Sequence, residues 1–274
     1  MITNTPIQKV GLGGKTIYVK REDMACESPG PPFSKVRGLI PYLRSIPQVK
    51  HIAYMETSIS MAGWGVSYSA GKVDKEATIF YPRYKAGLKD NQAFQMEKWK
   101  EFGANIIPIK RPNMQNINFL MAKHLLEEID PKALLLPLGL SFPQTVTAVA
   151  RELLRTHKSF LTGSIVCSVG SGTMMAGIIR GLSHTSCRPD LYGVLAAKKG
   201  VLGIYTKIER MANCFHTYNL RIVSHGYEYT QAEECAVPFP CNKYYDRKAW
   251  KWMIDHIGQL KEPILFWNIG GDGK

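Results

Sequence analysis

The 274-residue chain has no apolar run long enough to cross a bilayer, and its start, MITNTPIQKV, is too polar and too proline-broken for a signal peptide. A globular, cytoplasmic protein with no membrane role is the expectation. Cysteine is sparse: positions 26, 167, 187, 214, 235 and 241 contain no C-x-x-C, and the seven histidines hold no ligand spacing to them or to each other. That pattern excludes a disulfide framework and a structural zinc site, and reads as reduced, mostly structural thiols. Internal repeats, low-complexity tracts and long linkers are also missing. Acidic residues are few, with 22 Asp and Glu against 35 Lys and Arg, for a net charge of +13. An excess of that size points to a polyanionic partner, and nucleic acid is the obvious one.

What is present begins with a glycine-rich turn, Gly170-Ser171-Gly172-Thr173, in the run SIVCSVGSGTMMAGIIRGL. The apolar strand Ile165 to Val169 enters it and a helix from about Met174 leaves it, with Ala176 and Gly177 on the face expected to approach the sheet. Glycines let successive backbone N–H groups converge, and the helix start adds partial positive charge, so the turn suits a phosphate. Two other readings of the turn stand beside this one: a purely structural glycine turn and a dinucleotide site. A dinucleotide would need an acidic residue about 20 positions on, at the end of the next strand. Asp190 has the separation but precedes the strand Leu191 to Leu195, so it sits at the wrong end.

Strands and helices alternate along almost the whole length, which predicts an α/β protein of parallel sheets covered by helices. Helices are expected at 35–46, 60–70, 91–102, 115–129, 142–157, 203–213 and 246–257. Strands are expected at 16–19, 51–55, 78–81, 106–109, 133–138, 165–169, 191–195 and 264–267. Two lobes follow: residues 1–40 with 141–274 as a larger domain, and residues 41–140 as a smaller inserted α/β domain. Two stretches are rich in cations, 83–111 and 242–252. In the second, Lys243, Arg247, Lys248 and Lys251 interleave with Tyr244, Tyr245, Trp250 and Trp252. Cations beside flat rings suit phosphate pairing and base stacking; an amphipathic helix with solvated cations and buried rings has the same pattern.

Lys35, in Pro31-Pro32-Phe33-Ser34-Lys35-Val36-Arg37-Gly38, stands at the start of a helix, where the dipole lowers the cost of losing its proton. A neutral amine is the form that condenses with an aldehyde. Lys20-Arg21-Glu22-Asp23, then Ser34-Lys35-x-Arg37-Gly38, then a serine-rich turn and the later glycine turn together resemble the fold type II pyridoxal phosphate enzymes. Tryptophan synthase beta chain is the type member of that superfamily. LLPLGLSFPQTVTAVAREL, NKYYDRKAWKWM and ILFWNIGG extend the resemblance to its aminocyclopropane carboxylate deaminase and D-cysteine desulfhydrase branch.

The resemblance implies a tryptophan synthase beta-like fold, pyridoxal 5′-phosphate as cofactor and a homodimer. Lys35 would be the Schiff-base lysine, and Gly170, Ser171, Gly172 and Thr173 the phosphate cradle. Ser58 and Ser60 would face the cofactor ring or substrate, and Tyr245 would lie near the substrate. Two departures bear on substrate choice: Thr57-Ser58-Ile59-Ser60-Met61 lacks the asparagine common in that turn, and Ile269-Gly270-Gly271 lacks the branch's threonine. Combined with the positive charge, this implies a lyase acting at the alpha carbon of an aminoacyl group tethered to nucleic acid. A decarboxylase of an amino-acid-modified base in bacteriophage DNA is one such enzyme. Beta-elimination or deamination of a free small amino acid, and a catalytically inactive nucleic-acid-binding protein of the same fold, are the alternatives.

Overall fold

The computed structural model describes residues 4–84, 90–110, 112–198, 200–214 and 218–273. In chain order its elements are β1 (Ile7–Leu12), β2 (Lys15–Arg21), α1 (Val36–Arg44), β3 (His51–Met55), α2 (Ala62–Gly71) and β4 (Glu76–Pro82). There follow α3 (Asp90–Glu101), β5 (Asn105–Ile109), α4 (Gln115–Ile129), β6 (Leu134–Leu135), α5 (Pro143–Arg155) and β7 (Ser164–Val169). The last are α6 (Thr173–Ser183), β8 (Asp190–Leu195), α7 (Val201–Ala212), β9 (Leu220–Ser224), α8 (Asp246–Asp255) and β10 (Ile264–Asn268). The chain divides into two compact units, one of Met1–Ser28, Pro32–Gly38 and Phe142–Lys274, the other of Pro29–Pro31 and Leu39–Ser141.

The first unit holds a six-stranded sheet in the order β1-β2-β10-β7-β8-β9, parallel except for β1 against β2. β7 and β10 are buried along their whole length, so they read as mostly apolar runs without alternation. Alternate residues serve opposite faces. Ile165, Cys167, Val169, Leu265 and Trp267 join a core with α5, α6 and α7, whereas Val166, Ile264 and Phe266 join one with Trp250, Trp252 and Met253 of α8. The sequence pattern foreshadows neither β1 nor β9. Both are partly exposed edge strands, and β1 mixes Gln8 and Lys9 with its apolar residues, so pairing alone defines it. Gly13 and Gly14, at φ +55° and +76°, form the connection that turns β1 onto β2.

The small face of α6 meets α5 and not the sheet, contrary to the sequence expectation. A Cβ on Gly177 would stand 2.5 Å from the Val149 Cβ, and one on Gly181 would stand 2.9 Å from the Ala150 carbonyl oxygen. Longer side chains fill the sheet side: Met175 Cε lies 3.6 Å from where a Cβ on Gly193 of β8 would sit. Beneath the lysine loop lies a buried ionic cluster. Lys20 Nζ lies 2.8 Å from Glu152 and donates to Thr5 O at 2.7 Å, while Arg37 donates to both Glu22 oxygens at 3.0 and 3.1 Å. These bonds pin the end of β2, the start of α1 and α5 to one another.

The second unit holds a four-stranded parallel sheet in the order β5-β4-β3-β6. Its core joins Ala53, Met55, Phe80 and Ile109 to Ala122 and Leu126 of α4. β6 covers only Leu134 and Leu135 of the strand expected at 133–138. Pro137 offers no N–H, and Gly139 and Leu140 at φ +72° and +50° turn the chain away. No described helix is long and apolar enough to cross a membrane.

Candidate active site

β7 ends at Val169, and the chain turns through Gly170, Ser171 and Gly172 into α6. Gly172 is in the left-handed region at φ +85°, and a Cβ there would stand 2.8 Å from Ile208 Cγ1, so no larger residue fits. The Ser171 and Thr173 hydroxyls are 2.8 Å apart. The backbone N–H groups of Ser171 and Gly172 donate to no group among the described residues. Free amides, two hydroxyls and a helix start on one turn are the donor set a phosphate group requires, so the residues present fit the cofactor's anionic end.

Lys35 immediately precedes α1, with its carbonyl accepting the Gly38 N–H at 3.1 Å. Its half-buried side chain reaches the glycine turn, where Nζ donates to Ser171 Oγ at 3.3 Å. The terminal strand holds the loop in place. Ser34 N–H donates to Ile269 O at 3.1 Å, and Gly271 N–H to Pro32 O at 3.0 Å. Gly271 is tight, because a Cβ would meet Pro240 at 3.2 Å and Pro32 at 3.5 Å. Tyr245 lies against the same turn, with its ring 3.4 Å from where a Cβ on Gly170 would be and its hydroxyl 3.3 Å from that of Tyr229. The first unit thus brings together Lys35, the glycine turn and Tyr245.

Two groups here escape a reading of the sequence. Asp246, at the start of α8, is buried and accepts the Ile269 N–H at 3.1 Å. Burial, helped by Asp23 and Asp272, pushes its carboxyl up to about 8 despite the bonds from Ile269 and Gly270. The buried Cys167 thiol is pushed up by burial and by Asp246, and drawn down by Lys35. The only sequence signal for Asp246 is its position beside Tyr245.

The second group is Glu56, in the second unit. It follows β3 and is fully buried; its carboxylate accepts the Thr57 N–H at 2.6 Å and the Gly63 N–H, and bonds to the Ser60 hydroxyl. Burial raises it to about 7. Ser60 also accepts the Ala62 N–H at 3.0 Å, so its hydroxyl is used locally, capping α2 and holding Glu56. Ser58 differs: its carbonyl accepts from Asn91 at 3.4 Å, but its hydroxyl makes no hydrogen bond among the described residues.

Of the four cations expected to meet nucleic acid, Lys243, Arg247, Lys248 and Lys251, the one the structure seals off is Lys248. Lys248 is 0% exposed, and its ammonium donates to Ala196 O at 2.7 Å and Glu228 O at 3.3 Å, with burial lowering it to about 8. Arg247 pairs with Asp272 at 3.0 Å, Lys243 with Glu234 at 3.4 Å, and Lys251 with Asp255 at 2.6 Å. Trp250 packs on Phe239 and Phe266 with centroids 5.0 and 5.2 Å away, and Trp252 on Tyr192 at 5.3 Å. The helix is amphipathic: its rings are spent on the core and its cations on neighbouring acids and carbonyls. Of the other basic stretch, residues 85–89 and 111 lie outside those described.

A lysine reaching a glycine-turn phosphate cradle at the carboxyl edge of a parallel sheet defines an α/β enzyme built around a phosphorylated cofactor. The chain belongs to the pyridoxal-phosphate dependent enzyme family, whose model matches residues 1–225. Pyridoxal phosphate is accordingly its cofactor. A glycyl-dTMP PLP-dependent decarboxylase of Pseudomonas phage M6 is 32% identical over 278 aligned positions, covering 98% of this chain and 99% of that protein. Among solved structures, an ACC deaminase homologue superposes with a TM-score of 0.77 at 20% identity, covering 98% of this chain and 89% of the other. The O-acetylserine dependent cystathionine beta-synthase of Helicobacter pylori does so at 0.69 and 19%, covering 99% and 94%. The two likenesses establish the tryptophan synthase beta-like fold.

Proposed function

We propose that the protein is a pyridoxal phosphate-dependent decarboxylase whose substrate is an amino acid carried on a thymidine nucleotide, free or within DNA. The observation that carries the catalytic part is the 3.3 Å contact between Lys35 and Ser171 at the glycine turn. The full-length similarity to the phage glycyl-dTMP decarboxylase supports the substrate class, as does the net charge of +13. Such a substrate places the reaction in the cytoplasm. Exposed Met114, Ile117 and Leu120, three residues apart, supply apolar surface for the homodimer that the family resemblance implies.

In this reading the amides and hydroxyls of residues 170–173 hold the phosphate, and the Lys35 amine is the group that links to the aldehyde. When bound, the cofactor supplies an electron-withdrawing ring that stabilises negative charge on the alpha carbon. Asp246, a carboxyl held neutral by burial, is the group that would pair with a basic nitrogen of the cofactor. Departure of CO2 leaves a carbon that must take up one proton, and Lys35 and Tyr245 are the donors at hand. Ser58, whose hydroxyl makes no hydrogen bond among the described residues, would bond the substrate carboxylate.

The test is mass spectrometry of an aminoacyl-thymidine nucleotide incubated with the protein and pyridoxal phosphate. Loss of one CO2 with retention of nitrogen is expected. Loss of ammonia, or an unchanged nucleotide together with a keto acid formed from a free amino acid, would overturn the reading.

A further inference from the structure

A cation available to a nucleotide phosphate must be exposed and unpaired, which α8 does not offer. The carboxyl edge of the second unit's sheet does. β4 and β5 run parallel with Pro82 opposite Ile109, and the Arg83 N–H donates to Ile109 O at 3.2 Å. Arg83 and Lys110 are therefore the next residues out on neighbouring strands, about 5 Å apart by strand spacing. Both are exposed, and neither makes an ion pair or side-chain hydrogen bond among the described residues. Like charges at adjacent positions repel, and an anion bridging them removes that penalty. Tyr84, next to Arg83 in the chain, is 41% exposed, a large aromatic side chain open to solvent at the same edge.

The edge is also tied to the serine turn. Glu56 N–H donates to Phe80 O at 2.8 Å, and two side chains at the start of α3 complete the link: Asn91 donates to Ser58 O at 3.4 Å and Gln92 to Pro82 O at 3.1 Å. Ligands of parallel sheets bind at this carboxyl edge.

We infer that Arg83 and Lys110 bind the phosphate of a deoxynucleotide while Tyr84 stacks on a base, so that this edge selects the carrier of the amino acid. The inference rests on reading the substrate as an amino acid on a thymidine nucleotide. A free nucleotide and a DNA strand present the same phosphate chemistry, and the two probes below distinguish them.

The experiment titrates the cofactor-loaded protein with thymidine 5′-monophosphate by calorimetry and with fluorescein-labelled oligo(dT) by anisotropy. Wild type is compared with Arg83→Ala/Lys110→Ala, with the charge-keeping Arg83→Lys/Lys110→Arg, and with Tyr84→Ala. The double alanine variant should bind at least one probe about tenfold or more weakly, and the charge-keeping variant within about threefold of wild type. Loss with the monophosphate alone assigns the site to a free nucleotide. Loss with oligo(dT), with a log–log salt slope shallower by about 1.4, assigns it to a strand. Equal affinity of wild type and double alanine variant for both probes overturns the inference, as does failure of wild type to bind either. If no CO2 is released from the aminoacyl nucleotide but the binding difference persists, the decarboxylase reading falls and the phosphate site stands. If CO2 is released while binding and KM are unchanged in the double variant, the site falls and the reading stands.

Discussion

Lys35 Nζ lies 3.3 Å from Ser171 Oγ, which joins a loop before α1 to a turn more than a hundred residues later. In the proposed reading, Lys35 would link to the cofactor's aldehyde and Ser171 would hold its phosphate. Lys35→Ala should abolish turnover and the visible absorbance of the cofactor-loaded protein, whereas Ser171→Ala should keep the colour and weaken cofactor affinity about tenfold through the loss of one hydrogen bond to a charged group. Spectra and cofactor titration of the two variants check this, and an unchanged spectrum in Lys35→Ala would remove Lys35 from the chemistry.

Asp246 tests whether the buried acid at the start of α8 takes part in the chemistry. Asp246→Asn preserves volume and can still accept the Ile269 N–H, yet it cannot give up a proton. Cofactor content should stay close to wild type while kcat falls on the order of a hundredfold or more, the scale of removing a positioned acid or base. Equal kcat in the two proteins would show that the acid serves only to hold the Ile269 segment.

Glu56 predicts a pH dependence of stability. Burial raises its carboxyl from 4.5 to about 7, so between those values the folded chain retains a proton that the unfolded chain has released. The stability this group contributes is full below pH 4.5 and is lost as pH rises through about 7, a change on the order of 3 kcal/mol. Glu56→Gln should lack that loss, so its denaturant-unfolding free energy should gain on wild type by about that much between pH 4.5 and about 8. A constant difference across the range would show that Glu56 is solvated in the folded state.

The α5–α6 contact predicts a mutation that damages the fold without touching the chemistry. Gly177→Leu drives a side chain into Val149, whose Cβ is 2.5 Å from the first added atom. A loss of about 1–3 kcal/mol or more is expected, read as a fall of several degrees in Tm. An unchanged Tm would mean that the helices can part at little cost.

Arg37 is the companion test for the buried ions. Arg37→Met leaves Glu22 buried without its cation, which should cost about 3–5 kcal/mol in unfolding free energy. A smaller loss would indicate that Glu22 is already protonated in the fold, the direction in which burial pushes it.

The order of residues alone determines the local pieces. Apolar runs such as 165–169 specify strands buried on both faces, and the 115–129 periodicity marks a helix whose ends coincide with those observed. The glycine turn is legible because positive φ and missing side chains are properties of single residues. Tertiary structure alone decides which of many similar residues share a neighbourhood. Lys248 and Lys110 look alike in the sequence, yet one is sealed against two carbonyls and the other is exposed with no partner among the described residues. Ser58 and Ser60 look alike too, and only the fold spends one of them on Glu56. The physical reason is that charge, hydrogen bonding and proton affinity depend on surroundings contributed by distant segments, whereas backbone preference and periodic burial are written into adjacent residues.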